Sequence, residues 1–203
     1  MGSAAGQPLP VPYQGQAGQV LTLVAAQSTD TTATLIGWQR SAGGWQRGLG
    51  PFTAYVGWQG IGRASEGSTR TPAGVWGLTE AFGRRPATRT RMPYRRVDAS
   101  DWWVSDTKSP KYNTLQRCAP GTCPFNEAAG EDLGQAGPVY DHAIVIDYNR
   151  NPVTPGAGSA FFLHISAGHP TQGCVSMPAD NLRAVLAWLD PAQHPVINIG
   201  VSP

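Results

Sequence analysis

Cys174, in the stretch HPTQGCVSMP (residues 169–178), follows the histidine of FFLHIS, His164, by ten positions. A cysteine performs acyl transfer when three conditions hold. The sulfur needs a base or a cation near it, so that thiolate forms. The imidazole that takes the proton needs a fixed orientation. The oxyanion needs donors, usually backbone N–H groups, which a glycine beside the nucleophile leaves accessible. Gly173 precedes Cys174, and His164 lies at the end of an apolar run. These three are the candidate oxyanion donor, nucleophile and base. His169, five residues before the cysteine, and His142, in DHAIV, are rival partners for the sulfur. Plain packing competes with this reading: free cysteine is among the most buried residues, and a histidine between Leu163 and Ile165 suits a core. A zinc site of His164, His169 and Cys174 matches no usual ligand spacing, and no metal is expected.

The other two cysteines lie in RCAPGTCP. Pro120–Gly121 between them is a turn signal that brings Cys118 and Cys123 back toward each other. A local disulfide is expected there, which suits an oxidising compartment. Its loop is short, so chain entropy gives it only about 2 kcal/mol. Cys174 is then left over, and an odd cysteine in an exported chain is a candidate reactive thiol.

Short apolar runs must position these residues. QVLTLVAA (19–26), TATLIGWQR (32–40) and FTAYVGWQ (52–59) read as strands, with β-branched and aromatic residues in partial alternation. TRTPAGVWGL (69–78) is a turn entering a strand. YDHAIVIDYN (140–149) and SAFFLHIS (159–166) are strands, GHPTQ is a tight turn, and GCVSM (173–177) starts another extended segment. A strand–turn–strand connection can bring His164 and Cys174 face to face. Pro178 opens one helix, in which Leu182, Val185, Leu186 and Leu189 form an apolar stripe. PVINIG (195–200) closes the chain as a strand. Residues 79–138 are the least regular part, and an irregular stretch of that length usually carries function.

The chain has 203 residues and a net charge of +2, with 40% hydrophobic and only 14% charged residues. That charge is too small to argue for nucleic acid. Twenty-five glycines, 18 prolines and seven tryptophans fit a turn-rich, mainly β, exported protein. FGRRPATRTRMPYRR (82–96) carries arginines and no acid, a candidate patch for a carboxylate-bearing substrate. No apolar run reaches the roughly 18 residues that span a membrane. MGSAAGQPLP reads as a start methionine and cloning remnant joined to a mature N-terminus, compatible with a removed signal peptide. Residues 1–18 are expected to be a flexible tail and 19–203 a single domain, secreted or in the cell envelope and monomeric.

FFLHIS…PTQGCVSMP resembles the catalytic signature of the YkuD-type L,D-transpeptidases, in which a histidine on one strand precedes a Ser/Thr-x-Gly-Cys segment. ASEGSTRTPAGVWGLTEAFG (64–83) resembles the Thr-Pro-x-Gly hairpin of that family, and WWVSDTKSPKYN (102–113) and DHAIVIDYN (141–149) resemble an exported bacterial branch. The resemblance implies a β-sandwich-like catalytic fold with one or few short helices. It implies Cys174 as nucleophile, His164 as base, and oxyanion donors at Gly173 and Cys174. Thr171 holds the Ser/Thr place, and Thr171, Ser176, His142 and His169 are the candidate substrate contacts. The implied substrates are peptidoglycan stem peptides. The thiolate attacks the carbonyl of the third residue, D-alanine leaves, and a side-chain amine takes the acyl group in a 3→3 cross-link. No cofactor is implied, and carbapenems are expected to acylate the cysteine. Gln172 stands where many members have histidine, Ser176 where many have a basic residue or asparagine, and Ile165 where a small residue is usual. Those departures leave hydrolysis of wall peptides, or an inert wall-binding module, as the alternative functions.

Overall fold

The computed structural model describes residues 6–87 and 89–203. The strands are β1 Gln19–Ala25, β2 Thr32–Ser41, β3 Gly44–Tyr55, β4 Ile61–Gly62, β5 Thr71–Pro72, β6 Gly74–Gly77, β7 Ala81–Gly83, β8 Tyr94–Arg96, β9 Asp101–Val104, β10 Leu115–Arg117, β11 Gly130–Asp132, β12 Ala143–Val145, β13 Phe162–Ile165, β14 Val175–Met177 and β15 Val196–Val201. The single α-helix, α1, spans Ala179–Trp188. The fold is mainly β, as the alternation of apolar and polar residues predicts.

Ten strands form one sheet in the order β6-β15-β1-β2-β3-β14-β13-β12-β7-β8. Successive side chains of a strand point to opposite faces, and here the two faces meet two separate cores. Leu163 of β13 and Val175 and Met177 of β14 pack with Leu182, Val185 and Leu186 of α1 in the larger core. Each such fully buried side chain contributes about 1.5–3 kcal/mol. Phe162, one residue earlier, points the other way into a smaller core with Phe82, Trp103, Leu133 and Tyr140. His164 keeps the parity of Phe162, so it too sits on the small-core face.

Residues 97–140 build that second core. β9, β10 and β11 form a three-stranded sheet in the order β10-β9-β11, in a stretch that reads as irregular because each strand has only three or four residues. The expected disulfide is present: Cys118 and Cys123 are joined, with Cα atoms 5.3 Å apart. Residues 6–18, expected as a flexible tail, lie against the main sheet instead. Gln7 bridges Trp45, the Arg40 side chain donates to the carbonyls of Gly15 and Ala17, and Val11 and Ala17 are buried. No helix among the described residues is long and apolar enough to cross a membrane.

Candidate active site

β13 and β14 are adjacent and parallel, with Leu163 beside Val175 and His164 beside Ser176. The tight turn expected between them is therefore not a hairpin. Parallel neighbours need a connection that returns to the starting end, and residues 166–174 make it. Their loop is pinned midway, where Thr171 donates its N–H to the Val56 carbonyl and accepts from the Trp58 N–H. Cys174 emerges just before β14, on the face that carries His164.

Hydroxyls close the loop around the cysteine. Thr171 Oγ1 donates to the Cys174 carbonyl at 2.5 Å and accepts the Gly173 N–H at 3.1 Å. Thr71 Oγ1, from β5, donates to the Gly173 carbonyl at 2.8 Å and accepts the Gly57 N–H at 2.9 Å. Gly173 has φ +134°, and a Cβ there would lie 2.9 Å from a Phe161 ring carbon and 3.1 Å from the Arg70 carbonyl. Only glycine combines that dihedral with that closeness. Two expectations need correction here. The Gly173 N–H is engaged by Thr171 and does not point to an oxyanion, because the turn uses it. Thr171, a candidate substrate contact, has its hydroxyl taken up inside the loop. Among the described residues the Cys174 N–H has no protein acceptor.

The sulfur accepts the Phe162 N–H at 3.4 Å and faces the Ala160 carbonyl at 3.3 Å. Burial pushes its thiol pKa well above the usual value, and the Glu131 carboxylate pushes in the same direction. No lysine or arginine among the described residues lines either pocket beside it. His164 is oriented differently. Its Nδ1 lies 2.8 Å from the Ile165 carbonyl, which can only accept, so Nδ1 carries the proton and Nε2 is the free base. Tyr140 packs edge-on against the ring, centroids 5.3 Å apart. Burial lowers the imidazole pKa, with the Ile165 hydrogen bond opposing more weakly, which favours the neutral ring.

Cys174 forms part of the wall between two pockets. One, of about 210 Å³, is polar, with Glu66, Ser68, Ser105 and Ser159 around it. The other, of about 310 Å³, has walls of Trp58, Val139, Tyr140 and Pro170 and includes His164 and Ser176. Cys174, Gln172 and Glu131 line both. His169 lies at the rim of the second pocket, stacked on Trp58 at 6.3 Å. So the structure brings together Cys174, His164, Ser176, Thr171 and His169.

It separates His142 from them. His142 has the opposite parity to Ala143, which pairs with His164, and its Nδ1 meets the Tyr94 hydroxyl at 3.0 Å, outside both pockets. The Arg-rich stretch is also elsewhere. Arg84 and Arg85 pair with Asp141, Arg91 with Asp190, and Arg95 with Asp101. Reasoning from sequence missed Glu131 and Tyr140. The tyrosine hydroxyl donates to the Glu131 carboxylate; Glu131 lies in the stretch that looked irregular, and Tyr140 at the start of the stretch 140–149 that reads as a strand. A lone glutamate in GEDLG offers no spacing by which it could have been found.

A family model described as the L,D-transpeptidase catalytic domain, YkuD, matches residues 41–197, most of the chain. Comparison with curated proteins and with solved structures gave no match.

Proposed function

Because the chain belongs to the YkuD family of L,D-transpeptidase catalytic domains, we propose that it transfers acyl groups between peptidoglycan stem peptides through a thioester on Cys174. The observation that carries this reading is the place of Cys174 between two pockets. A transferase has to present one acyl carbon first to a thiol and then to an incoming amine, and two approaches to one sulfur suit that sequence. A hydrolase needs only the donor side.

The chemistry follows from the groups present. Sγ turns from the Ala160 carbonyl toward the donor carbonyl and gives its proton to His164 Nε2. The Cys174 N–H steadies the oxyanion, and the departing D-alanine takes the proton from the imidazole. The polar pocket supports donor binding: Glu66 and Glu131 face it, and both favour the ammonium group of a diamino acid. The chain acts in this reading outside the cytoplasm, where peptidoglycan lies and the Cys118–Cys123 disulfide persists.

Incubating the protein with a stem tetrapeptide, with and without an amine-bearing acceptor, tests the proposal. Amide-linked dimer is the expected product. Tripeptide alone, at every acceptor concentration, would make the enzyme a hydrolase.

A further inference from the structure

Ser176 is not used by the chemistry above. It is only 1% exposed, and its hydroxyl has no hydrogen-bond partner. A buried polar group left unpaired is destabilising, so an orphan of this kind points to a partner that arrives with the ligand. The hydroxyl belongs to the second pocket, beside His164 and Cys174. Its register explains the placement. Ser176 and His164 are opposed on neighbouring strands and face the same side of the sheet.

The acceptors converging there are a serine oxygen and the His164 Nε2 lone pair, with the Glu131 carboxylate on the same wall. No lysine or arginine among the described residues lines it. Trp58, Val139, Tyr140 and Pro170 give the pocket an aromatic and apolar side, with Thr171, Gln172 and His169 also on its lining. An aliphatic chain ending in a primary amine matches both halves: hydrocarbon against the walls, and several N–H donors against the acceptors.

We propose that Ser176 is a positioning residue for the acceptor amine, its Oγ accepting one amine N–H while His164 Nε2 accepts the other. This rests on the acyl-transfer reading above. With both hydrogens held, the nitrogen lone pair points at the thioester carbonyl. The N–C bond forms and the C–S bond breaks. The proton lost by the amine passes to Nε2 and then to Sγ, which restores the thiol and the neutral imidazole.

The test separates thioester formation from its resolution. Wild type, Ser176→Ala and Ser176→Thr are loaded with a stem tetrapeptide, and the thioester is followed by intact mass. A stem tripeptide bearing the free side-chain amine is then added over a concentration series, and the ratio of dimer to hydrolysed product is measured. Loss of one hydrogen bond predicts that the ratio falls about three- to tenfold in Ser176→Ala. Threonine, which keeps the hydroxyl, should restore most of it. An unchanged ratio in Ser176→Ala, with thioester still forming, overturns the proposal. So do equal falls in aminolysis and hydrolysis, which would make Ser176 a packing residue. Absence of any thioester in the wild type removes the acyl-transfer reading itself, and the missing mass adduct distinguishes that case.

Discussion

The Thr71 hydroxyl donates to the Gly173 carbonyl at 2.8 Å, across 102 positions of sequence. The same oxygen accepts the Gly57 N–H. One buried side chain therefore ties the Thr-Pro-x-Gly segment and the strand-end loop at Gly57 to the residue that precedes the nucleophile. Thr71→Val keeps the shape and removes both bonds. It should destabilise the fold by about 1–3 kcal/mol, and acylation should slow more than that loss of folded protein accounts for. Urea unfolding read beside the acylation rate checks both.

Gly173→Ala should be more damaging than its size suggests. The φ of +134° is unfavourable for any L side chain, and the new Cβ meets the Arg70 carbonyl, which cannot move aside alone. Strain of this kind costs about 1–3 kcal/mol. The expected outcome is a folded protein of lower thermal midpoint with little or no adduct on Cys174. Normal acylation would show that the loop relaxes without consequence.

Glu131→Gln should make Cys174 more reactive toward small alkylating agents. Burial is the larger cause of the raised thiol pKa, and the Glu131 carboxylate adds to it. Burial raises the Glu131 carboxyl pKa as well, so removing it lowers the thiol pKa and raises the thiolate fraction at a pH high enough for Glu131 to be ionised. A several-fold faster reaction with iodoacetamide at pH 8 is expected. The same variant should bind the donor less well, since one of the two carboxylates facing the polar pocket is lost.

The buried state of His164 sets a pH dependence. Its pKa is held below the ordinary value near 6.5, so the neutral base survives into mild acid and the acid limb of acylation should lie below pH 6.5. Stability follows with the opposite exposure to acid. Below about pH 6.5 the unfolded chain takes up a proton that the folded ring resists, so stability falls as pH falls and levels off once the folded ring also protonates. His142, also lowered by burial, contributes with the same sign. Urea midpoints at pH 7 and 5.5 should therefore differ less in His164→Gln than in the wild type.

Much of this architecture is legible in the residues themselves. Alternating β-branched and aromatic runs mark β1, β2 and β15, and the Leu182–Val185–Leu186 stripe marks α1, because both signals repeat at a fixed period. β9, β10 and β11 escape notice because three or four residues are too few for a period to show. The pairing of Cys118 with Cys123 is readable from a local turn. The contact of His142 with Tyr94 is not, because whether β12 turns that histidine toward the cysteine depends on a parity of one residue. Glu131 is illegible for a related reason: its meaning comes from lying beside Cys174, 43 positions away in sequence.

The measurement that bears most directly on the central claim is intact mass after incubation with a carbapenem, for the wild type and for Cys174→Ala. A thiol poised for acyl transfer predicts one covalent adduct on the wild type and none on the variant. An unmodified wild type that also yields no thioester with a stem tetrapeptide would contradict it, as would an adduct that survives removal of the sulfur.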